Sequence, residues 1–160
     1  MKWMLMATIF FSCSTYQSTR KKEIERRWLI LERAIEDRWT QKEIVNLLGS
    51  PESKDRDKED ESWSYSSEES GVQEWSISFN LKSKIVSYIS YGPTGSLDND
   101  FTLDKILKRW ESLNCKKKKS KMYTRGHTVY QDQYYLCDGN KRIDYNRYNE
   151  VSWIRVSSGR

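Results

Sequence analysis

The side chains of this 160-residue chain that could do chemistry are one histidine, three cysteines and a cluster of carboxylates. Nucleophilic catalysis needs a Ser, Cys or Lys within reach of a base, and His127 is the one imidazole available. No serine stands in a Gly-x-Ser-x-Gly elbow and Cys115 and Cys137 are better explained as a disulfide, so His127 reads as a surface or packing residue. A metal site needs His or Cys at ligand spacing, which the sequence lacks. Asp132 and Asp138 flank Cys137 and could hold a hard cation, but Asp138-Gly139-Asn140 reads more simply as a turn. Glycoside hydrolysis needs two carboxyls fixed across a sugar, and those between Asp55 and Glu61 have no apolar neighbours to fix them. The expectation is a chain that binds rather than catalyses, with no cofactor and no metal.

Cys13 has a different setting. A short apolar run, Trp3 to Phe11, follows Lys2 and ends at small Ser12, directly before the cysteine. The run is too short to span a bilayer, and the arrangement resembles a bacterial lipoprotein signal. Residues 1–12 would then be removed and Cys13 would be the site of lipid attachment, although Phe10 and Phe11 are bulkier than the usual lipobox residues. At roughly 0.8 kcal/mol per buried CH₂, more than one acyl chain gives a stable anchor. An ordinary secretory signal or a buried N-terminal strand is the alternative. With Cys13 so used, Cys115 and Cys137 remain, the even remainder a single disulfide leaves in an exported protein; two free buried thiols are the other reading.

The formal charge is +5, unevenly placed. Glu52 to Glu69 is rich in carboxylates and reads as a solvated loop. Lys105 to Arg125 is basic, with Lys116, Lys117, Lys118 and Lys119 in succession and Lys121 beyond. An exported chain meets no nucleic acid; its polyanions are phospholipid headgroups, lipopolysaccharide and other glycans, and each Lys near an anionic membrane contributes about 1 kcal/mol. These lysines are therefore expected to form an anionic-ligand patch, or else a solvated loop with no partner. Tyr123, Tyr130, Tyr134, Tyr135, Tyr145 and Tyr148 offer large contact area at low entropic cost, as protein interfaces and sugar-stacking sites do, with about half of them assigned to the sheet core.

The elements that must position these residues follow from periodicity. Ser14 to Thr19 is small and polar, so residues 13–20 read as a flexible spacer. Ile24, Trp28, Leu31 and Ile35 recur at helical spacing with charge between them. Thr40 and Glu43 form a capping box ahead of Ile44, Val45, Leu47 and Leu48, and Gly49 with Pro51 stops that second helix. Strand-like alternation continues through Trp63-Ser64-Tyr65, Val72 to Phe79 and Ile85 to Tyr91, with a hairpin turn at Asn80 to Lys84 and a strong break at Gly92 to Ser96. Thr102, Ile106, Leu107 and Trp110 repeat the offsets of the second helix, and Met122 to Val129, Tyr134 to Cys137 and Val151 to Val156 suggest further strands.

The segment from Trp39 through Thr40, Glu43, Leu48 and Gly49 to Pro51 resembles the signature of the SmpA/OmlA (BamE-like) outer-membrane lipoprotein family, a Thr-x-x-Glu-Val helix ending Leu-Gly-x-Pro. The family's Trp-x-Tyr strand has its counterpart in Trp63-Ser64-Tyr65, and its Phe-containing hairpin in Ile77 to Asn80 and Lys84 to Val86, so the likeness spans residues 38–91. Two family glycines are missing: Ser83 stands in the hairpin turn, and Asp37-Arg38-Trp39 precede the capping Thr40. The resemblance implies an α+β fold of two helices packed on a small antiparallel sheet over residues 21–92, with residues 97–160 a second helix-plus-strand unit and a candidate degenerate repeat. The same fold is similar to that of a beta-lactamase inhibitor protein built from two such units. The resemblance implies a non-enzymatic binding or scaffold module, lipid-anchored at the outer membrane, whose partner is another envelope protein, as in outer-membrane protein assembly. A tethered inhibitor and a peptidoglycan- or lipopolysaccharide-binding module are the alternatives.

Overall fold

A computed structural model describes residues 4–66, 73–93, 99–120, 122–125, 128–146 and 148–159. The first helical pattern becomes α1 (Met4–Arg33), from which Trp28, Ile30 and Leu31 enter the core together with Ala34 just beyond it. Ser14 to Thr19, expected as a spacer, continue this helix without a break, and Arg20 already grips Asp100, Nη2 to Oδ2 at 2.6 Å. Among the described residues no helix is long and apolar enough to cross a membrane. The turn after α1 places Arg38 in the left-handed region, φ 57°, at the position where a glycine would cost roughly 1–2 kcal/mol less. In α2 (Gln41–Leu48), the Glu43 carboxylate accepts the Thr40 N–H at 2.6 Å and its hydroxyl at 3.0 Å. Gly49 ends α2 at φ 79°, its N–H donating to Val45 O, as the Gly-x-Pro pattern requires.

Over its described residues, 52–66, the acidic segment expected as a loop is largely strand. β1 (Ser53–Arg56) runs through it and pairs antiparallel with β2 (Asp60–Ser66), while the Asp57 carboxylate turns the chain by accepting the N–H groups of Glu59 and Asp60, each at 2.8 Å. Its alternating charges suit an exposed edge strand, where they discourage pairing with another chain. β3 (Gln73–Asn80) and β4 (Val86–Tyr91) follow, joined by a turn in which Asn80 Oδ1 accepts from Lys82 and Ser83 and Lys84 takes φ 59°. Beyond the break come α3 (Leu103–Arg109) with Thr102 at its N-cap, then β5 (Lys116–Lys119), a hairpin of β6 (Tyr123–Arg125) and β7 (Thr128–Tyr130), and β8 (Gln133–Cys137), β9 (Lys141–Tyr145) and β10 (Val151–Ser157). Gly139 and Asn140, φ 70° and 54°, make the tight β8–β9 turn, whose two left-handed residues match the twist of the flanking strands.

The expected architecture of two helices on a small antiparallel sheet is corrected here. Although the class is α+β, three helices cover one face of a single eight-stranded antiparallel sheet, in the order β1-β2-β3-β4-β10-β9-β8-β5, with β6–β7 separate. The reason lies at β4: as the last strand of a small sheet it would leave an edge of unpaired backbone, and β10 caps that edge instead, pairing Ile154 with Tyr91 through Ser157 with Tyr88. Residues 21–92 and 97–160 therefore share one sheet and one core.

Aromatic side chains carry the core across that seam. Trp75 lies against Tyr91 at 4.3 Å between ring centroids, Tyr91 against Phe101 at 4.9 Å, Phe101 against Trp28 at 4.8 Å, and Trp28 edge-on to Trp110 at 6.0 Å, linking β3, β4, α1 and α3. Each such pair is worth about 0.5–1.5 kcal/mol beyond its burial. Ion pairs fix the direction of α1: buried Arg27 binds Glu74 at 2.9 Å, Glu32 holds Arg109 and the Trp110 indole N–H, and Glu36, in the turn beyond, meets Lys141 at 2.9 Å. Cys115 and Cys137, the expected pair, stand at disulfide distance, their Cα atoms 3.9 Å apart, and tie the segment after α3 to the end of β8.

Two stability predictions follow. Glu74→Ala should lower the urea unfolding free energy by about 2–3 kcal/mol, below the full cost of an unpaired buried charge because Glu23 still holds the other Nη of Arg27 at 2.7 Å, and the double change Arg27→Met with Glu74→Leu should recover most of that loss; an equally damaged double variant would show that the ion pair itself is needed. Replacing Cys115 and Cys137 together with Ala should cost about 3 kcal/mol, the chain entropy of a loop this long, measured by the same unfolding curves with and without reductant.

Candidate functional site

In a strand successive side chains point to opposite faces, so away from the bulges near Glu74, Ser152 and Ser87 the strand registers assign the residues of the sheet to one face or the other. Trp63, Tyr65, Trp75, Ile77, Phe79, Val86, Ile89, Tyr91, Ile143, Ile154 and Val156 share the buried face under the helices. The opposite face carries none of these. Across it, aligned strand to strand, run Ser53, Ser64, Ser76, Ser90, Arg155, Arg142, Leu136 and Lys116. A second line beside the first places Trp153 next to Asp144, Tyr134 and Lys118, and a third runs from Asp55 through Ser62, Ser78 and Tyr88 to Ser157.

The open face thus has two halves of different chemistry. From β1 to β4 it is paved with serines, which bond to one another, as Ser62 and Ser78 do between hydroxyls at 2.8 Å. From β10 to β5 it is aromatic and cationic. The Arg142 guanidinium lies over the Tyr134 ring at 3.9 Å and donates from Nε to Asp144 Oδ1 at 2.8 Å, while Arg155 Nη1 stands 3.4 Å from Asp144 Oδ2. Trp153 lies flat on Gly92, where a Cβ atom would come within 3.0 Å of the ring; this glycine is required by close approach.

The residues singled out by sequence divide sharply. Thr40, Glu43, Leu48, Gly49 and Pro51 build and end α2, and Trp63, Tyr65 and Phe79 face the helices, so these motif residues make structure. The Trp63 indole donates to Glu61 at 2.7 Å, which holds that carboxyl below the usual range. The lysine run is neither loop nor single patch: it is β5, an edge strand, with Lys116 and Lys118 on the open face and Lys117 and Lys119 on the other. Lys117 sits over the Tyr145 ring at 5.6 Å, and hydrogen bonding to the Tyr145 side chain raises its pKa. Lys121 and His127 lie outside the described residues, and Cys13 lies within α1. Of the tyrosines, Tyr145 is buried, Tyr134 is on the open face and Tyr148 is exposed. Arg142, Asp144, Trp153 and Arg155 were not singled out; their alternation in β9 and β10 signals a shared face within each strand, but not that the two strands are neighbours. Among the described residues no group of three His, Cys, Asp or Glu side chains could hold a metal.

Burial pushes the Tyr65 hydroxyl up from its ordinary value near 10 to about 12. The folded state therefore holds this proton more tightly than the unfolded chain, so Tyr65's contribution to stability is intact below pH 10 and is lost progressively as pH rises toward 12. Stability measured across that range should fall less steeply in Tyr65→Phe than in the unaltered protein; identical slopes would remove Tyr65 as the cause.

No family model and no curated protein matches this chain. Among solved structures it is similar to a DUF4309 family protein (YjgB) from Bacillus subtilis subsp. subtilis strain 168, with 14% identity and a TM-score of 0.46 over 85% of this chain and 97% of that one.

Proposed function

We propose that this protein is a non-enzymatic, lipid-anchored envelope protein that binds another envelope protein through the open face of its sheet. The observation that carries the reading is the composition of that face: Trp153, Tyr134, Tyr88 and Leu136 supply broad contact area, Arg142 and Arg155 supply directional hydrogen bonds, and the serine half presents small side chains that let a partner approach. Tyr, Trp and Arg are the residues that dominate protein interfaces. An accessory role in outer-membrane protein assembly fits the resemblance of residues 38–91 to the SmpA/OmlA family. The lipid reading fits the geometry of α1: Cys13 and Arg20 belong to one helix, about 10 Å of rise apart, so acyl chains on Cys13 would hold the sheet close to the bilayer rather than on a loose tether.

Photo-crosslinking in intact cells tests this. A crosslinking amino acid at Tyr88 or Leu136 should capture an envelope protein, identified by mass spectrometry, whereas the same group at Leu29, exposed on α1, should not. Cys13→Ala should reduce the capture several-fold by releasing the protein from the membrane. Barrel-assembly subunits among the products would support the accessory role, and equal capture at Leu29 would sink the open-face reading.

A further inference from the structure

The cationic half of the open face contains an unbalanced cluster. Arg142 and Arg155 are neighbours across β9 and β10, yet they share a single carboxylate, Asp144. Arg142 takes one of its oxygens from both Nε and Nη2. Arg155 is left with a contact of 3.4 Å to the other, longer than a good charged hydrogen bond, and its Nε and Asp144 Oδ2 are buried with no hydrogen-bond partner among the described residues. The buried Nε lies out of a ligand's reach, but the guanidinium as a whole is poorly satisfied, and its Nη side, on a side chain 36% exposed, makes only that long contact, which leaves room for a second carboxylate.

The surroundings favour the same ligand. On the open face of β10, β9, β8 and β5, Arg155, Arg142, Lys116 and Lys118 oppose the single charge of Asp144. Lys116, Lys118 and Leu136 line a hollow of about 370 Å³, in which Asp138 is the one acid. Tyr134 supports the Arg142 guanidinium from beneath, so the fork is held rather than free, which lowers the entropy lost on binding.

We propose that Arg155, with Arg142 and Asp144, forms a seat for a carboxylate of an acidic peptide segment in the partner protein, with Lys116 and Lys118 receiving a second carboxylate further along it. This names the partner's chemistry and rests on the open-face reading above. Lys116 lies two strands from Arg142 and three from Arg155, roughly 10–14 Å at the usual strand spacing, and an extended peptide covers that distance in about three to four residues. The preferred segment therefore carries glutamates or aspartates at that interval. The incoming carboxylate takes the Nη donors of Arg155, while Asp144 stays with Arg142.

Fluorescence anisotropy with a labelled octaglutamate peptide tests the seat on the full chain. Arg155→Gln should weaken binding at least 5-fold at low salt, and the same charge loss at exposed Lys21 on α1 should change it less than 1.5-fold. Asp144→Asn, which removes the competing charge, should tighten binding about 3-fold. Thermal unfolding confirms that each variant is folded, and Arg142→Gln replaces Asp144→Asn if the latter is not. Equal effects of Arg155→Gln and Lys21→Gln, or no octaglutamate binding by the unaltered protein, would overturn the proposal. So would binding confined to vesicles containing anionic phospholipid, which would make the cations a membrane contact. If octaglutamate fails while crosslinking at Tyr88 still captures a protein, the acidic-peptide assignment falls and the docking face stands.

Discussion

Four residue pairings between β4 and β10, from Ile154 with Tyr91 to Ser157 with Tyr88, close two edges that would each expose a row of unpaired N–H and C=O groups. Every larger feature hangs on that seam. It merges two four-stranded runs into one sheet, and it brings Arg155 beside Ser90 and Trp153 beside Gly92, so that the serine half and the cationic half become one continuous face. On the buried side the same seam is bridged by the rings of Trp75, Tyr91, Phe101 and Trp28, which bind the sheet to α1 and the segment leading into α3. A sheet with only one face covered needs this kind of asymmetry: large apolar residues toward the helices, small or charged ones toward water.

The ion pairs of α1 serve orientation more than net stability. Arg27 with Glu74, Glu32 with Arg109 and Trp110, and Glu36 with Lys141 join α1 and its following turn to β3, α3 and β9, three places that a purely apolar helix face could meet in several registers. Of these only Arg27 with Glu74 is buried on both sides, and such a pair returns little over well-packed apolar groups, while the more exposed pairs are worth little on their own; geometric selectivity is the better account of their presence here. Strain is tolerated where direction matters. Arg38 and Lys84 hold left-handed backbone at the turns that lead into α2 and β4.

The edges of the sheet are treated differently. β1 carries alternating charges, and β5 is four lysines, each a deterrent to pairing with another chain. The lysine run is thus accounted for first by its place at an edge, and only Lys116 and Lys118 reach the face where a partner is proposed to bind.

Much of the fold was legible from local pattern. The Thr40–Glu43 cap, the Gly49–Pro51 stop, the Thr102 cap, the Asp138-Gly139-Asn140 turn and the alternation from Trp63 to Tyr91 are all short-range signals, decided by hydrogen bonds and dihedrals within a few residues, and each element they mark is present. β1 and β5 escaped because strands of charged residues carry no hydrophobic period, and β9 because its period rests on Ile143 and Tyr145 alone; pairing partners, more than their own side chains, make them strands. The candidate site was hidden for the same reason. Sequence alone put Trp153 and Arg155 on one face of the strand Val151 to Val156, because side chains alternate along any strand, and left Arg142 and Asp144 outside any expected strand, in the segment that forms β9. Only the tertiary structure decided that these strands are neighbours and that β10 docks on β4, because pairing between distant segments depends on which edges remain open after the core has formed.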